Sequence, residues 1–326
     1  MRGLIALVLG CFGAEVLHAQ SPIAFEAHAS SPIYEPTRLK RLPTTAAHTE
    51  DPIAVPAKAA PDFAALMRPS ISLAAEWQPE SGGVDLASYD TRISLPTYPV
   101  FGPPPPSINF AFSYFDVNAP EALDLPADLY DYSLGFGWMR RINDRWMLRL
   151  MFSTALAHDG KNNSRDVWQY RGGMFALYRP NDQWTWILGA LALGRNDIPV
   201  VPAVGAIWQP TSAVRFDLTL PKPKAAFLLA DNGRRQQWWY LGGGFDGGTW
   251  AYETSTGSDD QITYRDWRFV WGWESVPTPT PGMPFTRGRK LGMEIGYSFA
   301  REFEFDSGRP DIELRNALLL QASASF

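Results

Sequence analysis

The chain has 326 residues, a net charge of -5, 13% aromatic side chains including 13 Trp, and a mean hydropathy of -0.19. A mildly acidic balance argues against nucleic-acid binding, which needs a basic surface. The one Cys is Cys11, so once an N-terminal leader is removed there is no disulfide, thiolate nucleophile or Cys metal site.

Met1 to Gln20 reads as a secretory signal. Arg2 supplies the positive start, Leu4 to Phe12 a short apolar core, and Leu17-His18-Ala19 a cleavage site before Gln20. Lipoprotein processing at Cys11, after Val8-Leu9-Gly10, is the second reading; it leaves an apolar core of only about six residues, where roughly 7–15 is usual. Beyond the leader no window approaches the roughly 20 unbroken apolar residues of a spanning helix, which leaves a soluble protein or a barrel.

Residues 20–69 carry Pro22, Pro32, Pro36, Pro43, Pro52, Pro56, Pro61 and Pro69 among Ala, Ser and Thr, without a sustained period. Repeated proline blocks helix and ladder alike, so this stretch is expected to be a flexible periplasmic extension. A plug or an envelope tether is the functional alternative.

From Ser70 the chain becomes a succession of alternating segments of roughly 8–15 residues separated by turn chemistry. Ile71, Leu73 and Trp77 alternate with Ser72 and Glu76; Tyr89, Ile93 and Leu95 with Asp90, Arg92 and Ser94. After Pro103 to Pro106 come Ile108, Phe110, Phe112 and Tyr114, then Tyr132, Leu134, Phe136 and Trp138 against Ser133, Gly135 and Gly137. A tight turn at Ile142-Asn143-Asp144 leads to Trp146, Leu148, Leu150 and Phe152, opposed by Arg149 and Ser153. Further hairpins turn at Pro180-Asn181-Asp182 and Gln209-Pro210-Thr211-Ser212, the second leading to Val214, Phe216, Leu218 and Leu220 against Arg215, Asp217 and Thr219. Late in the chain Trp267, Phe269, Trp271 and Trp273 oppose Asp266, Arg268 and Glu274, and Leu291 to Phe299 oppose Gly292, Glu294, Gly296 and Ser298.

The last stretch has Leu314, Asn316, Leu318, Leu320, Ala322, Ala324 and Phe326 on one face and Arg315, Gln321, Ser323 and Ser325 on the other. A barrel in lipid must pair such a strand with its first to leave no open edge. A terminal aromatic is also the pattern that outer-membrane barrels show to their assembly machinery, so the resemblance to that class implies recognition of the strand ending in Phe326.

The polar face decides between barrel and soluble sandwich. Bulk water usually faces Lys, Glu and Thr, whereas this face holds small residues and charges of both signs that can pair across a narrow interior. Trp138 with Trp146, and Tyr178 with Trp184, flank tight turns; an interfacial aromatic girdle or core packing beside hairpins would each place them there. The turns at Asn143, Asn181 and Pro210 are tight, while the links from Asp116 to Leu129 and from His158 to Arg165 are longer, as expected for periplasmic turns and outer loops. An even strand number is required, about twelve to fourteen, and a split at Pro221-Lys222-Pro223 gives the larger value.

The runs Val200 to Gly205 through Trp208-Gln209-Pro210, Arg215 to Leu218, Pro221 to Lys224, Tyr240 to Gly243 with Gly247 to Trp250, and Asn316 to Ala322 resemble a family of bacterial envelope proteins known only as a domain of unknown function. That resemblance implies an outer-membrane β-barrel and transfers no catalytic residue.

Gly242 to Gly248 resembles a phosphate loop only superficially, because Thr249-Trp250-Ala251-Tyr252-Glu253 reads as a strand and not a helix start. The four His stand at 18, 28, 48 and 158, in the leader, the extension and an expected loop, so no catalytic or metal-binding cluster, cofactor site or lipid-hydrolase base is expected in the barrel. The candidate functional residues are the charges expected in the lumen: Arg92, Arg149, Arg215, Asp217, Asp266, Arg268 and Glu294. They either tune the passage of small solutes or bridge the strands and conduct nothing.

The sequence therefore predicts an all-β protein: a leader at 1–19, an extension at 20–69 and a single antiparallel barrel at 70–326, immersed in outer-membrane lipid. A porin-like channel or small-solute site is the functional expectation. A non-conducting interaction barrel, or a soluble periplasmic sandwich with a sugar-binding face, are the alternatives.

Overall fold

A computed structural model describes residues 67–100, 102, 104–194, 199–278 and 288–326. The expected leader, the alternative at Cys11 and nearly all of the extension lie outside these residues.

The alternating segments form β1 (Ser70–Ser81), β2 (Val84–Pro96), β3 (Ser107–Asn118), β4 (Asp128–Arg141), β5 (Trp146–His158), β6 (Trp168–Tyr178), β7 (Trp184–Ala192) and β8 (Val200–Thr211). They continue as β9 (Val214–Asp217), β10 (Lys224–Asp231), β11 (Arg235–Glu253), β12 (Asp259–Pro277), β13 (Lys290–Phe305), β14 (Ile312–Leu314) and β15 (Ala317–Ser325). Each is antiparallel to the next around the wall, and β15 closes on β1 with Ser72 opposite Ser325 and Trp77 opposite Leu320. Phe326 N–H donates to Ile71 O (2.9 Å) and Ile71 N–H to Phe326 O (3.2 Å), so the chain's last aromatic is tied into its first strand.

β14 and β15 both pair with β13, above and below a break at Arg315-Asn316, and so share one position in a closed antiparallel barrel of 14 strands. The wall divides β9 from β10 at Pro221-Lys222-Pro223, the split that gives the larger of the two even counts.

The apolar face of these strands points out of the barrel. Trp267, Trp271, Ile295 and Leu318 are 52%, 58%, 48% and 58% exposed, which an isolated domain in water would not tolerate as a continuous surface but a hydrocarbon solvent favours. Two aromatic bands frame this surface. At the end where β1 begins and β15 ends, the near end, Trp146 packs on Tyr178 and a ladder runs Trp184, Trp208, Phe216, Phe227, Trp239. At the far end Tyr89, Tyr114 and Tyr130 adjoin in sequence, and Tyr130 and Tyr132 flank His158.

Two details differ from the sequence expectation. His158 is the last residue of β5, not a loop residue; its Nδ1 accepts from Gly160 N–H (2.8 Å) and its ring lies between tyrosines, so it caps a strand within the aromatic band. The alternation of short turns and long loops also holds only in mid-chain. The far-end turn from β1 to β2 is just Gly82-Gly83, with φ of +70 and +91, the double left-handed geometry that a two-residue hairpin needs to match strand twist. Conversely, the near-end links from β2 to β3 and from β12 to β13 are long.

Candidate functional site

The lumen has three levels, and the backbone of β11 to β15 creates them. Gly244 and Gly247 in β11 have φ of +148 and +127, and a Cβ on Gly247 would stand 2.0 Å from Tyr264 O. Only glycine permits that approach. At the same height the β12–β13 ladder slips between Arg265 and Trp267, Ala300 in β13 takes φ +48, and β14 parts from β15. One extra residue reverses which side chains face inward. Below Ala300 these are Glu294 and Ser298; above it they are Arg301, Phe303 and Phe305.

Bent at one level, the far segments lean across the lumen until β11 meets β5, which is not its neighbour around the wall. Ala251 pairs with His158 in parallel, and Asp159 N–H donates to Ala251 O (3.1 Å). Asn162 Nδ2 donates to Tyr252 O (3.0 Å), Gln169 Nε2 to Thr249 O (2.7 Å), and Glu253 N–H to Asp159 Oδ2 (3.1 Å). The far half thereby becomes a narrower ring of β1–β5 and β11–β14. Its centre is filled by Leu86, Val117, Leu129, Trp250, Tyr252, Ile262, Tyr264 and Phe303, each no more than 4% exposed. We call this the neck. The sequence expectation of a Gly, Ser and charge interior fails here, because a ring this narrow leaves no room for water and fills with side chains.

Below the neck lies a belt of buried charge, the waist. Arg268 Nη1 stands 2.9 Å from both Glu76 Oε2 and Asp246 Oδ2, and Nη2 stands 2.9 Å from Asp266 Oδ2. Lys222 Nζ donates to Asp246 Oδ2 (3.0 Å), Gln78 Nε2 to Glu76 Oε1 (3.1 Å), and Ser298 Oγ to Asp266 Oδ2. Asp246 and Asp266 are directly opposed across the β11–β12 ladder, a like-charge pair made tolerable by the intervening Arg268 and by Lys222 on Asp246. Arg301 Nε donates to Tyr264 hydroxyl (3.3 Å) and Nη1 to Arg315 O, tying waist to neck. On the facing wall Arg171 pairs with Asp131, and Ser113 donates to Asp90.

The near half is different again. Lys224 bonds Glu274 (3.0 Å) and sits 3.5 Å from the centre of the Tyr240 ring, whose hydroxyl donates to Glu294. The wall opposite carries Ser107, Asn109, Gly135, Gly137 and Ser153, small residues packed closely enough that a Cβ on Gly137 would stand 3.0 Å from Ser107 Oγ.

All seven residues singled out from the sequence stand on inward faces. Asp266 and Arg268 meet in the waist, Arg215 pairs with Asp217 at 3.8 Å, and Glu294 joins Tyr240. Arg92 and Arg149 are half-buried on β2 and β5. The residues that complete the waist were legible only in part. Glu76 and Ser298 are polar members of alternating strands, and Lys222 and Asp246 are lone charges amid Pro and Gly. Arg301 is masked by the parity switch at Ala300.

The family model described as Domain of unknown function (DUF6268) matches residues 106–309, well over half of the chain. The chain belongs to this family. No curated protein matches the sequence. Among solved structures, the DUF6268 barrel is similar to a bacterial polysaccharide outer membrane secretin (8% identity, TM-score 0.41, covering 80% of this chain and 98% of that one). It is similar to the COG4313 outer membrane channel from Pseudomonas putida F1 (11%, TM-score 0.38, 79% and 95%). A third likeness is to a deltaS2 mutant of the TodX monoaromatic hydrocarbon channel (9%, TM-score 0.27, 79% and 88%).

Proposed function

We propose that this protein is an outer-membrane barrel that admits small solutes to its near, periplasm-facing lumen and does not conduct along its axis in the conformation described. The observation that carries this reading is the neck: β11 is hydrogen-bonded to β5 across the lumen, above a dry aromatic and aliphatic filling. An ion would have to shed its hydration to pass, at a cost far above thermal energy. The waist charges are paired with each other, so they bridge strands here and offer no open ring of one sign to select ions. Below the waist the lumen is lined on one side by small polar residues with Lys224, Glu274 and Glu294 and on the other by the apolar cluster of β6–β8, surfaces suited to small amphipathic and uncharged apolar solutes. The C-terminal strand ending in Phe326, already tied to β1, is the feature that the barrel-assembly machinery would read.

The test is single-channel conductance of the purified full chain in planar bilayers, beside a variant in which Gly248 to Tyr264 is replaced by a short turn. The wild type is expected to be silent and the variant to conduct. Steady conductance of the wild type would overturn the closed-axis reading. Entry of solute to the near lumen is tested separately with Gly137→Cys, which a membrane-impermeant maleimide should label from the terminal side only.

A further inference from the structure

The wall between β8 and β11 is not hydrogen-bonded over its full height. On β8 the last bond to the β9 side is Leu220 N–H to Val204 O (3.3 Å), yet the strand runs on to Val200. On β11 the ladder to β10 ends with Lys224 opposite Gly242 and Gly243 N–H on Pro223 O (3.1 Å), yet the strand runs on to Glu253. Among the described residues no ladder joins β8 to β11 directly. The β9–β10 hairpin fills only the lower part of this wall, and a seam remains above its tip.

Each lip of the seam is built to stand without a strand neighbour. Pro202 spares β8 one N–H in the stretch where its far side has no ladder. On β11 the Thr249 carbonyl accepts from the Gln169 side chain (2.7 Å), and Gly247 N–H donates to the Asp246 carboxylate (2.9 Å). Strand edges left bare in hydrocarbon are costly, so lips whose polar groups are met by side chains are those that can persist without a partner strand.

No strand ladder closes the seam among the described residues; apolar packing of Phe245 does, beside the bond from Gln169 to Thr249 and the Lys222–Asp246 pair. Because β11 leans inward, Phe245, on the face of β11 opposite to the neck filling, packs on the inward-facing cluster of β6–β8 that includes Phe175, Ile187, Leu191 and Val201. From Gly242 to Gly248 the other residues of that lip are glycine and Asp246, which leaves Phe245 as the one apolar side chain of this stretch, while Trp250 and Tyr252 farther on fill the neck. The rim outside carries Val204, Leu218, Leu220 and Trp267, all exposed on the lipid side.

We infer that this seam is a lateral passage through which small uncharged apolar solutes move between the lumen and the bilayer, with Phe245 as the side chain that closes it. It deepens the proposed solute uptake and rests on that reading. The axis is blocked by the neck, whereas the route past Phe245 joins the apolar β6–β8 cluster to the apolar outer rim, with the paired Lys222 and Asp246 at its lower edge. A charged or strongly polar solute would find nothing there to replace its water. An apolar one would lose nothing by leaving the lumen for hydrocarbon.

The experiment is photolabelling of the full chain in lipid nanodiscs with trifluoromethyl phenyl diazirine, a small apolar carbene source, and mapping of adducts by mass spectrometry. Adducts are expected on outward residues such as Ile295 and Leu320 and also on the inward Leu191, Val201 and Ala203. Phe245→Ala should raise labelling of the inward set several-fold, and Phe269→Ala, on the open lipid face, should leave it unchanged. Adducts confined to outward residues in wild type and Phe245→Ala alike would overturn the passage. So would equal labelling of the neck residues Leu86 and Phe303, which would report a loosened fold. Conductance, read on the same purified proteins in planar bilayers, does not depend on the seam, so failure of the lateral passage and failure of the closed axis are told apart.

Discussion

β11, β12 and β13 each cross two environments, and the difference between their lower and upper parts explains the molecule. Below Gly247, Asp266 and Ala300 they are barrel staves, with Trp267, Phe269, Trp271 and Tyr297 in lipid and Tyr240, Arg268, Glu294 and Ser298 turned inward. Above that level the same ladders continue, but Thr249, Trp250, Ala251 and Tyr252 are buried in succession, so both faces are covered by protein. Glycines and one bulge, and no change in strand type, turn a lipid-facing wall into an internal partition. Apolarity therefore has two meanings in this chain: outward it matches lipid, and inward it fills a space too small for water.

The sharpest way to break this contrast is to strike each part separately. Phe303→Ala removes a ring that no solvent reaches, and a buried Phe truncation costs about 3–5 kcal/mol. It should abolish hydrogen-exchange protection at Tyr252 and Tyr264 while Leu320 and Ala322, on the closing ladder, keep theirs. Arg268→Met leaves Glu76, Asp246 and Asp266 without their shared guanidinium, a loss of about 3–5 kcal/mol when one partner of a buried ion network is removed. It should lower the temperature at which the folded band disappears in detergent gels.

Smaller effects separate lipid from lumen. Ile295→Arg places a charge on the outward face, where about 2–4 kcal/mol is expected near the bilayer midplane. Its inward neighbour Glu294→Gln should cost less, since the amide still accepts from Tyr240 hydroxyl; urea unfolding in liposomes ranks the two. At the low end, Asp144→Ala breaks a solvent-exposed ion pair with Arg141, and no change in the same unfolding curve is expected.

Most of the barrel was legible because alternation has a strict period of two and because lipid and lumen demand different residues. Trp267 to Trp273 against Asp266 to Glu274 is readable without coordinates, as is the closing strand to Phe326. Parity narrowed the count to about twelve to fourteen, and the break at Pro221-Lys222-Pro223 marked the division that makes it fourteen. The neck was not legible, since Val117, Leu129 and Tyr252 carry the same signal whether they face lipid or a dry interior, and only the bend at Gly244 and Gly247 distinguishes the two. Parity was the second obstacle: Ala300 is a residue with no tendency to mark a bulge, and it shifts Arg301 and Phe303 to the face that counting assigns to Glu302 and Glu304. Of the waist, Asp266 and Arg268 were found from the pattern of their own strand. Glu76 and Asp246 come from other strands, and only the closed register brings them together.

The account rests on two kinds of apolar surface, and spin-label accessibility separates them directly. A nitroxide placed by Ile295→Cys should be open to oxygen and closed to a water-soluble nickel chelate, as befits a residue in lipid, while one placed by Phe303→Cys, even at partial folding cost, should be shielded from both. Free access of the chelate to position 303 in the folded barrel would contradict a closed neck.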